Sequence, residues 1–281
     1  MKKEVFTVLG AGGFVGQALT QWLRHRGHDV HTPERQLSPN ELVTKLSGHV
    51  VYCIGLTSDF RRRPWDTVDA HVCMLRHVLS HGEFSSFTYL SSTRVYLGGQ
   101  AGNEGAALTV QPELADQLYN VSKLLGESMC HTAHSAERPV RVVRLSNVVG
   151  GDLSSENFIY TLLREALTRG VIQLNSSLDS SKDYIAISDV VRMIERIAVA
   201  GQARCYNLAS GRQITNAEIV EAITRLTGAR VIVADNSPQI VFPQIDIGRL
   251  KSEFNFTPSS PIESLEEIVA LLKQNIQRSN S

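Results

Sequence analysis

A phenol and an ammonium group stand four residues apart in the segment Tyr119-Asn120-Val121-Ser122-Lys123. Residues four apart lie on the same face of a helix, and a neighbouring cation favours the phenolate form of tyrosine. We therefore expect Lys123 to lower the pKa of Tyr119 and to make this phenol a general acid/base near neutral pH. An exposed helix face without function is the alternative interpretation of the same pair.

Glycines recur at every third position in the segment Gly10-Ala11-Gly12-Gly13-Phe14-Val15-Gly16, between a β-rich run and a helical pattern. At such a turn, bare backbone lets a pyrophosphate approach a helix N-terminus, whose unpaired N–H groups attract anions. A glycine turn without a ligand is the alternative. The pattern predicts a dinucleotide site made by Gly10, Gly13, Phe14, Val15 and Gly16.

Two charged residues follow the second predicted strand, at 29–31. The carboxylate of Glu34 could accept hydrogen bonds from the adenosine ribose, whereas the guanidinium of Arg35 could pair with a 2′-phosphate. A solvated loop is the alternative for both residues. The choice between NAD and NADP therefore stays open.

Apolar runs alternate with helical patterns up to about residue 150. The predicted strands are 5–9, 29–31, 50–54, 87–90 and 140–145, and the predicted helices include 66–81 and 115–134. This alternation is typical of an α/β fold with a parallel sheet covered by helices. The hydroxyl groups of Ser91 and Ser92 then lie at the carboxyl end of a strand, where open α/β sheets bind ligands.

In this order, the glycine turn, Ser91-Ser92-Thr93-Arg94-Val95-Tyr96 and the Tyr119/Lys123 pair resemble the extended short-chain dehydrogenase/reductase family, in its nucleotide-sugar epimerase, dehydratase and reductase group. The resemblance continues at 144–150, 182–190 and 206–211. It implies a Rossmann domain over residues 1–150, with a doubly wound parallel sheet. Residues 151–281 would form mainly a smaller, mixed substrate lobe, with some segments returning to the first domain.

The resemblance also implies roles for individual residues. Tyr119 would donate and accept the proton, Lys123 would hold the nicotinamide ribose and tune Tyr119, and Ser92 would hydrogen-bond the reacting oxygen. Gly55 and Leu56 would lie near the cofactor, which is NAD or NADP. A positioned hydroxyl and a phenolic proton suit this chemistry, because hydride addition to a ketone develops negative charge on oxygen.

On the substrate side, Ser92, Thr93, Arg94 and Asn147 are the candidates, with Asn147 holding the nucleotide-sugar and Arg94 directed at a sugar substituent. Dehydratases of the family usually carry an acidic residue directly after the strand-end hydroxyl, and the Thr93-Arg94 pair disfavours that reaction. His71 stands where many members have Asn, in the helix after the fourth strand.

The expected function is that of an NAD(P)-dependent enzyme acting on a nucleotide-activated sugar. A 4-ketoreductase of a 4-keto-6-deoxy sugar is the leading expectation, and a 4-epimerase with tightly bound NAD is the second. A non-catalytic nucleotide sensor or scaffold on the same fold is the third. The family also implies a homodimer, built on the helices at 66–81 and 115–134.

Composition excludes other classes of protein. The chain has 28 Lys plus Arg and 28 Asp plus Glu, so it lacks the basic field that nucleic-acid binders use. The sequence has no run of about 18 apolar residues, so we expect no membrane span. The four cysteines stand singly and His131 and His134 lack a third ligand, so no metal site is predicted. We expect a cytoplasmic protein.

Overall fold

The computed structural model describes residues 2–56, 59–150, 155 and 157–279. Its strands are β1 (Val5–Leu9), β2 (Asp29–His31), β3 (His49–Tyr52), β4 (Ser86–Ser92), β5 (Val140–Leu145), β6 (Asn147–Val149), β7 (Val171–Leu174), β8 (Ser181–Ala186), β9 (Cys205–Leu208), β10 (Gln213–Thr215) and β11 (Arg230–Val233). Its α-helices are α1 (Phe14–His25), α2 (Pro39–Val43), α3 (Pro64–Val68), α4 (Met74–His81), α5 (Leu118–Ala133), α6 (Phe158–Arg169), α7 (Ile187–Ala200), α8 (Asn216–Thr227), α9 (Gly248–Phe254) and α10 (Glu263–Ser279).

Six parallel strands form the main sheet, in the order β2-β1-β3-β4-β5-β9. From β1 the chain moves outward to β2, and it then crosses to the other side of β1 to form β3. The strand order therefore reverses between β1 and β3, which is where doubly wound sheets bind their ligands. The predicted α/β class with a doubly wound parallel sheet is confirmed.

Both faces of this sheet are buried. Phe6 and Val8 pack in one core with residues of α1 and α7, whereas Leu9 joins a second core with residues of α4 and α5. This division follows from the two-residue period of a strand. Burial on both faces explains the apolar runs that mark the strands in the sequence.

The later part of the chain has a core of its own. Residues of α6, α8 and α10 pack together, and they adjoin two small sheets, of order β10-β8-β6 and β11-β7. However, β9 is a strand of the main sheet and α7 packs on that sheet, although both elements lie beyond residue 150. The predicted division into domains at residue 150 stays a prediction. No helix among the described residues is both long and apolar enough to cross a membrane.

A buried carboxylate ties the first helix to α7. Glu195 accepts a hydrogen bond from Trp22 Nε1 at 2.6 Å and lies 3.0 Å from His28 Nε2. Glu195 and His28 are both buried. These contacts span more than 160 residues of sequence and fix α7 against the amino-terminal unit.

The predicted helix at 66–81 is interrupted. It consists of α3, a π-helical turn (Asp69–Cys73) and α4. His71 lies in the π-helical turn, between the third and fourth strands. Its predicted placement after the fourth strand was wrong. Such turns are rare and occur frequently at functional sites.

Candidate active site

A cavity of about 670 Å³ lies beside the point where the strand order reverses. This volume is typical of small-molecule sites. The walls come from the β1–α1 turn (13–16), the segment after β3 (53–56), the end of β4 (90–94) and the β5–β6 junction (145–148). Tyr119 and Lys123, from α5, complete the wall next to β4. The cavity thus joins the two motifs that the sequence suggested.

The glycine turn is shaped by backbone packed on backbone. Gly10 has a φ of 81°, and a Cβ there would come within 2.9 Å of the Cys53 carbonyl carbon. A Cβ on Gly16 would overlap the Gly10 carbonyl oxygen, which accepts a hydrogen bond from Gly13 N at 3.0 Å. Side chains are thereby excluded at Gly10 and at Gly16, on the two sides of the beginning of α1.

The beginning of α1 also suits a negatively charged ligand. Gly13, Phe14, Val15 and Gly16 line the cavity, and the first N–H groups of a helix have no partner within it. Gly10, at the start of the turn, is not part of the described lining, and its contact with a cofactor stays a prediction. The residues present therefore fit the pyrophosphate of a dinucleotide.

The other predicted cofactor residues fall into two groups. Gly55 and Leu56 line the cavity next to the glycine turn. Glu34 and Arg35 are exposed in the loop after β2 and are not part of the described lining. Their contact with a cofactor stays a prediction.

Tyr119 is buried at the catalytic wall. Burial raises its pKa above the ordinary value of 10, against the lowering effects of a hydrogen bond with Ser92 and of the Arg94 charge. The prediction of a lowered pKa was wrong. Burial destabilises the phenolate more than the Ser92 hydrogen bond and the Arg94 charge stabilise it. At neutral pH, Tyr119 therefore holds its proton and can donate it.

The 3₁₀ turn Thr93–Tyr96, which follows β4, fixes Ser92 beside Tyr119. The Ser92 hydroxyl accepts a hydrogen bond from Arg94 N at 3.1 Å and caps this turn. This contact still leaves the hydroxyl its proton to donate. Ser92 and Tyr119 can therefore both donate to one oxygen atom in the cavity.

Lys123 is buried one helical turn after Tyr119. Its Nζ donates to Leu90 O at 2.9 Å and lies 6.0 Å from the centre of the Tyr119 ring. Burial lowers the pKa of Lys123 to about 7, against the opposing charge of Glu127. The ammonium group can therefore exchange a proton near neutral pH.

His71 packs behind the site, with its ring centre 5.3 Å from that of Tyr119, and its contacts were not predicted from the sequence. Ser122 Oγ donates its proton to Tyr119 O at 2.9 Å, so the 2.9 Å contact between His71 Nδ1 and Ser122 Oγ requires a proton on Nδ1. Nε2 is then a bare acceptor, buried and without a hydrogen-bond partner in the described part of the chain. It lies 2.9 Å from where a Cβ on Gly55 would stand.

A buried ion pair holds α5 against the sheet. Glu127, four residues after Lys123, pairs with Arg144 of β5 at 2.7 Å. Glu127 also accepts from Ser91 Oγ at 2.6 Å, and Arg144 donates to Tyr96 Oη at 2.7 Å. These bonds join β4, α5 and β5, and they set the position of the catalytic wall. This pair, whose members lie 17 residues apart on different elements, was not predicted from the sequence.

The predicted substrate residues also line the cavity, namely Ser92, Thr93, Arg94 and Asn147. Asn147 Nδ2 donates to Asp183 O at 2.8 Å. Lys182 was not predicted as a site residue, although its segment was part of the resemblance. It lines this cavity and a second one of about 330 Å³, and Asn147 lines both as well.

The site can be compared with known proteins. The family model "NAD dependent epimerase/dehydratase family" matches residues 6–209, which is more than half of the chain. The chain belongs to this family. The resemblance stated from the sequence is thereby confirmed. The structure adds the cavity in which the family motifs meet.

Among curated relatives, a dTDP-glucose 4,6-dehydratase from Streptomyces griseus is 26% identical over 187 residues, covering 64% of this chain and 55% of the relative. The chain thus spans little more than half the length of this relative. The UDP-glucuronic acid 4-epimerase from Bacillus cereus, solved with UDP-glucuronic acid and NAD, has 17% identity and a TM-score of 0.82 over 96% of this chain and 99% of its own. RMD from Pseudomonas aeruginosa, solved with NADPH, has 21% identity and a TM-score of 0.80 over 97% and 100%. These two structures show that the fold is shared.

Proposed function

We propose that the protein is an NAD(P)-dependent oxidoreductase that interconverts a secondary alcohol and a ketone on a nucleotide-activated sugar. The observation that carries this proposal is that Ser92, Tyr119 and Lys123 converge on one wall of a cavity whose other end is the glycine turn. Family membership and relatives named for dTDP-glucose and UDP-glucose support the substrate class.

The cofactor would lie along the carboxyl edge of the sheet. The first turn of α1 would hold its pyrophosphate, and Gly55, Leu56 and Lys123 would border its nicotinamide end. A bound nicotinamide would supply or accept the hydride. Glu34 and Arg35 are proposed to contact the adenosine ribose, and their opposite charges leave NAD and NADP both open.

The chain's own residues would manage the proton. In ketone reduction, the Tyr119 phenol would transfer its proton to the carbonyl oxygen as a hydride reaches the carbon, while Ser92 hydrogen-bonds the same oxygen. Lys123, with its pKa lowered to about 7, would stabilise the phenolate that remains. Alcohol oxidation would reverse these transfers.

Two reactions use this geometry. The first is reduction of a 4-keto-6-deoxy sugar, which takes one hydride from the cofactor and releases the product. The second is 4-epimerisation, in which the sugar would rotate within the site after oxidation and would then take the hydride back on its other face. Nicotinamide released on denaturing fresh protein separates them. Near-stoichiometric NAD⁺ would indicate an epimerase, and an empty protein that binds NADH or NADPH reversibly would indicate a reductase.

Replacing Tyr119 with Phe tests the catalytic assignment. We expect a loss of turnover of about 100-fold or more, because general acid catalysis contributes that much, with cofactor affinity nearly unchanged. Tyr89→Phe is the matched control, since Tyr89 Oη is buried without a hydrogen-bond partner among the described residues and Tyr89 is absent from the described cavity lining. Unchanged turnover in Tyr119→Phe would overturn the assignment. A wild-type protein that is purified without nicotinamide and binds neither NADH nor NADPH would favour the non-catalytic alternative.

The remaining expectations are also proposals. We infer a homodimer that uses the helical segments at 66–81 and 115–134, and a cytoplasmic location where nucleotide sugars and nicotinamide cofactors are supplied. The homodimer rests on the family resemblance, and the location rests on the composition of the chain. The mass of the native protein in solution and fractionation of the source cells test them.

A further inference from the structure

Two cations in the lining of the cavity, Arg94 and Lys182, form no ion pair with a described carboxylate, and the charge of Arg94 lies next to Tyr119. Arg62 pairs with Asp59 at 2.6 Å, and Arg61 holds Asp116 with two bonds of 2.6 and 2.7 Å. No described carboxylate lies within ion-pair distance of Arg94. Its side chain has no hydrogen-bond acceptor among the described residues, and its Nε is buried.

The other carboxylate in the described lining of the cavity, Asp183, is satisfied by neutral donors. It accepts hydrogen bonds from Ser146 Oγ at 2.5 Å, from the backbone N and the Oγ of Ser210, and from Arg212 N. Asp183 therefore has no need of a cation, and it is not the missing partner of Arg94.

Arg94 is held in place although no described residue forms an ion pair with it, and Asp116, which Arg61 binds, acts on it only through its charge. Its backbone N is fixed by the hydrogen bond to Ser92 Oγ, and its guanidinium lies 5.4 Å from the centre of the Phe60 ring. The Phe60 ring lies 5.0 Å from that of Tyr119. An unpaired, partly desolvated guanidinium is costly, so its retention beside the reacting groups indicates a ligand anion.

We propose that Arg94 binds a carboxylate carried by the sugar, so that the substrate is a nucleotide-activated hexuronic acid. This inference rests on the proposed function and narrows its substrate class. A guanidinium matches a carboxylate with two parallel hydrogen bonds. The position of Arg94, two residues after Ser92 and beside Tyr119, places the anion at the sugar ring.

The diphosphate of the substrate has another candidate partner. Lys182 lies where the two cavities meet, and its ammonium group lies 5.4 Å from the centre of the Phe158 ring, with no ion pair to a described carboxylate. A nucleoside diphosphate spanning both cavities would pass this ammonium group. Arg94 is then free to recognise the sugar.

The inference also separates the two proposed reactions. Carbon 6 is a methyl group in a 6-deoxy sugar and a carboxylate in a hexuronic acid. One sugar therefore cannot belong to both substrate classes. A carboxylate subsite at Arg94 therefore favours 4-epimerisation of a hexuronic acid over reduction of a 4-keto-6-deoxy sugar.

Calorimetric titration of the NAD-saturated protein tests this inference. The ligands are UDP, UDP-glucose and UDP-glucuronate, together with the thymidine counterparts, and the nucleotide that binds more tightly is used. The two sugars differ only by a neutral hydroxymethyl group in place of a carboxylate. We expect wild-type protein to bind the glucuronate more tightly by about tenfold or more, since a charge-assisted hydrogen bond contributes that much.

Two variants give opposite signatures. In Arg94→Gln the preference for glucuronate should disappear while UDP affinity stays the same, and Arg94→Lys should restore part of the preference. In Lys182→Gln all three ligands should weaken by similar factors. Circular dichroism and NAD affinity check that each variant is folded.

Three results would overturn the inference. One is equal wild-type affinity for the neutral and acidic sugars. The second is a preference that survives in Arg94→Gln. The third is an Arg94→Gln variant whose affinity for UDP falls by the same factor as its affinity for UDP-glucuronate, which would assign Arg94 to the diphosphate. Failure of both nucleotide series to bind wild-type protein would instead overturn the proposed function, and the inference with it.

Discussion

The two ends of the cavity are shaped by different forces. At the cofactor end, the turn after β1 touches the segment after β3 through backbone atoms, and glycines leave no room for side chains. At the catalytic end, α5 is fixed by a buried ion pair between Glu127 and Arg144. The first end should therefore be sensitive to added volume, and the second to lost charge.

Gly16→Ala should have the largest effect on folding. Its new Cβ would overlap the Gly10 carbonyl oxygen, which is backbone and cannot rotate away. We expect a loss of more than about 4 kcal/mol in the free energy of unfolding, above the roughly 1–3 kcal/mol of ordinary overpacking, or failure to fold, measured by urea denaturation. Gly12→Ala is the matched control, because no described atom lies within 4 Å of its added Cβ. Equal free energies of unfolding for the two variants would show that the backbone of the turn moves to accommodate the added Cβ.

Glu127→Gln should come second. It leaves the guanidinium of Arg144 buried without its counter-charge, and breaking one side of a buried pair typically costs about 3–5 kcal/mol. The control is Asp116→Asn, which removes the same charge from an exposed pair with Arg61 and should cost less than about 1 kcal/mol. Similar losses in both variants would contradict the proposed difference between the two ends.

The smallest effect concerns acid stability. Burial, with a contribution from Lys123, lowers the pKa of His71 from 6.5 to about 2. Between these values the unfolded chain binds more protons than the folded one. Stability due to neutral His71 is therefore present above pH 6.5 and is lost as pH falls, by up to about 1.4 kcal/mol per pH unit.

His71→Asn should remove this dependence. We expect the stability difference between wild type and variant to change by about 2 kcal/mol between pH 7 and pH 5, in the direction that favours the variant in acid. Denaturation at both pH values measures it. Parallel pH profiles would mean that His71 takes up its proton without unfolding.

The sequence predicts the parts of this molecule that local pattern controls. The strand–turn–helix at Gly10–Gly16 and the alternation of apolar runs follow from short-range geometry, and the structure has both. The Tyr119/Lys123 spacing likewise places both residues on α5. These features need no information from distant parts of the chain.

Other features depend on tertiary packing and were not predicted from the sequence. Arg144 meets Glu127 only because β5 lies beside β4 under α5. The pKa of Tyr119 is raised because burial, which the sequence spacing does not report, outweighs its neighbours. That no described carboxylate pairs with Arg94 becomes visible only once the partners of Arg61 and Arg62 are known.

The sixth strand of the main sheet has a consequence for biosynthesis. β9 ends at Leu208 and pairs with β5, so the sheet stays incomplete on the ribosome until residue 208 has emerged. At about 5–20 residues per second, the nascent chain waits about 3–12 s after residue 150 with one edge of β5 uncovered. During that interval the open edge is a target for chaperones and for misassembly between neighbouring nascent chains.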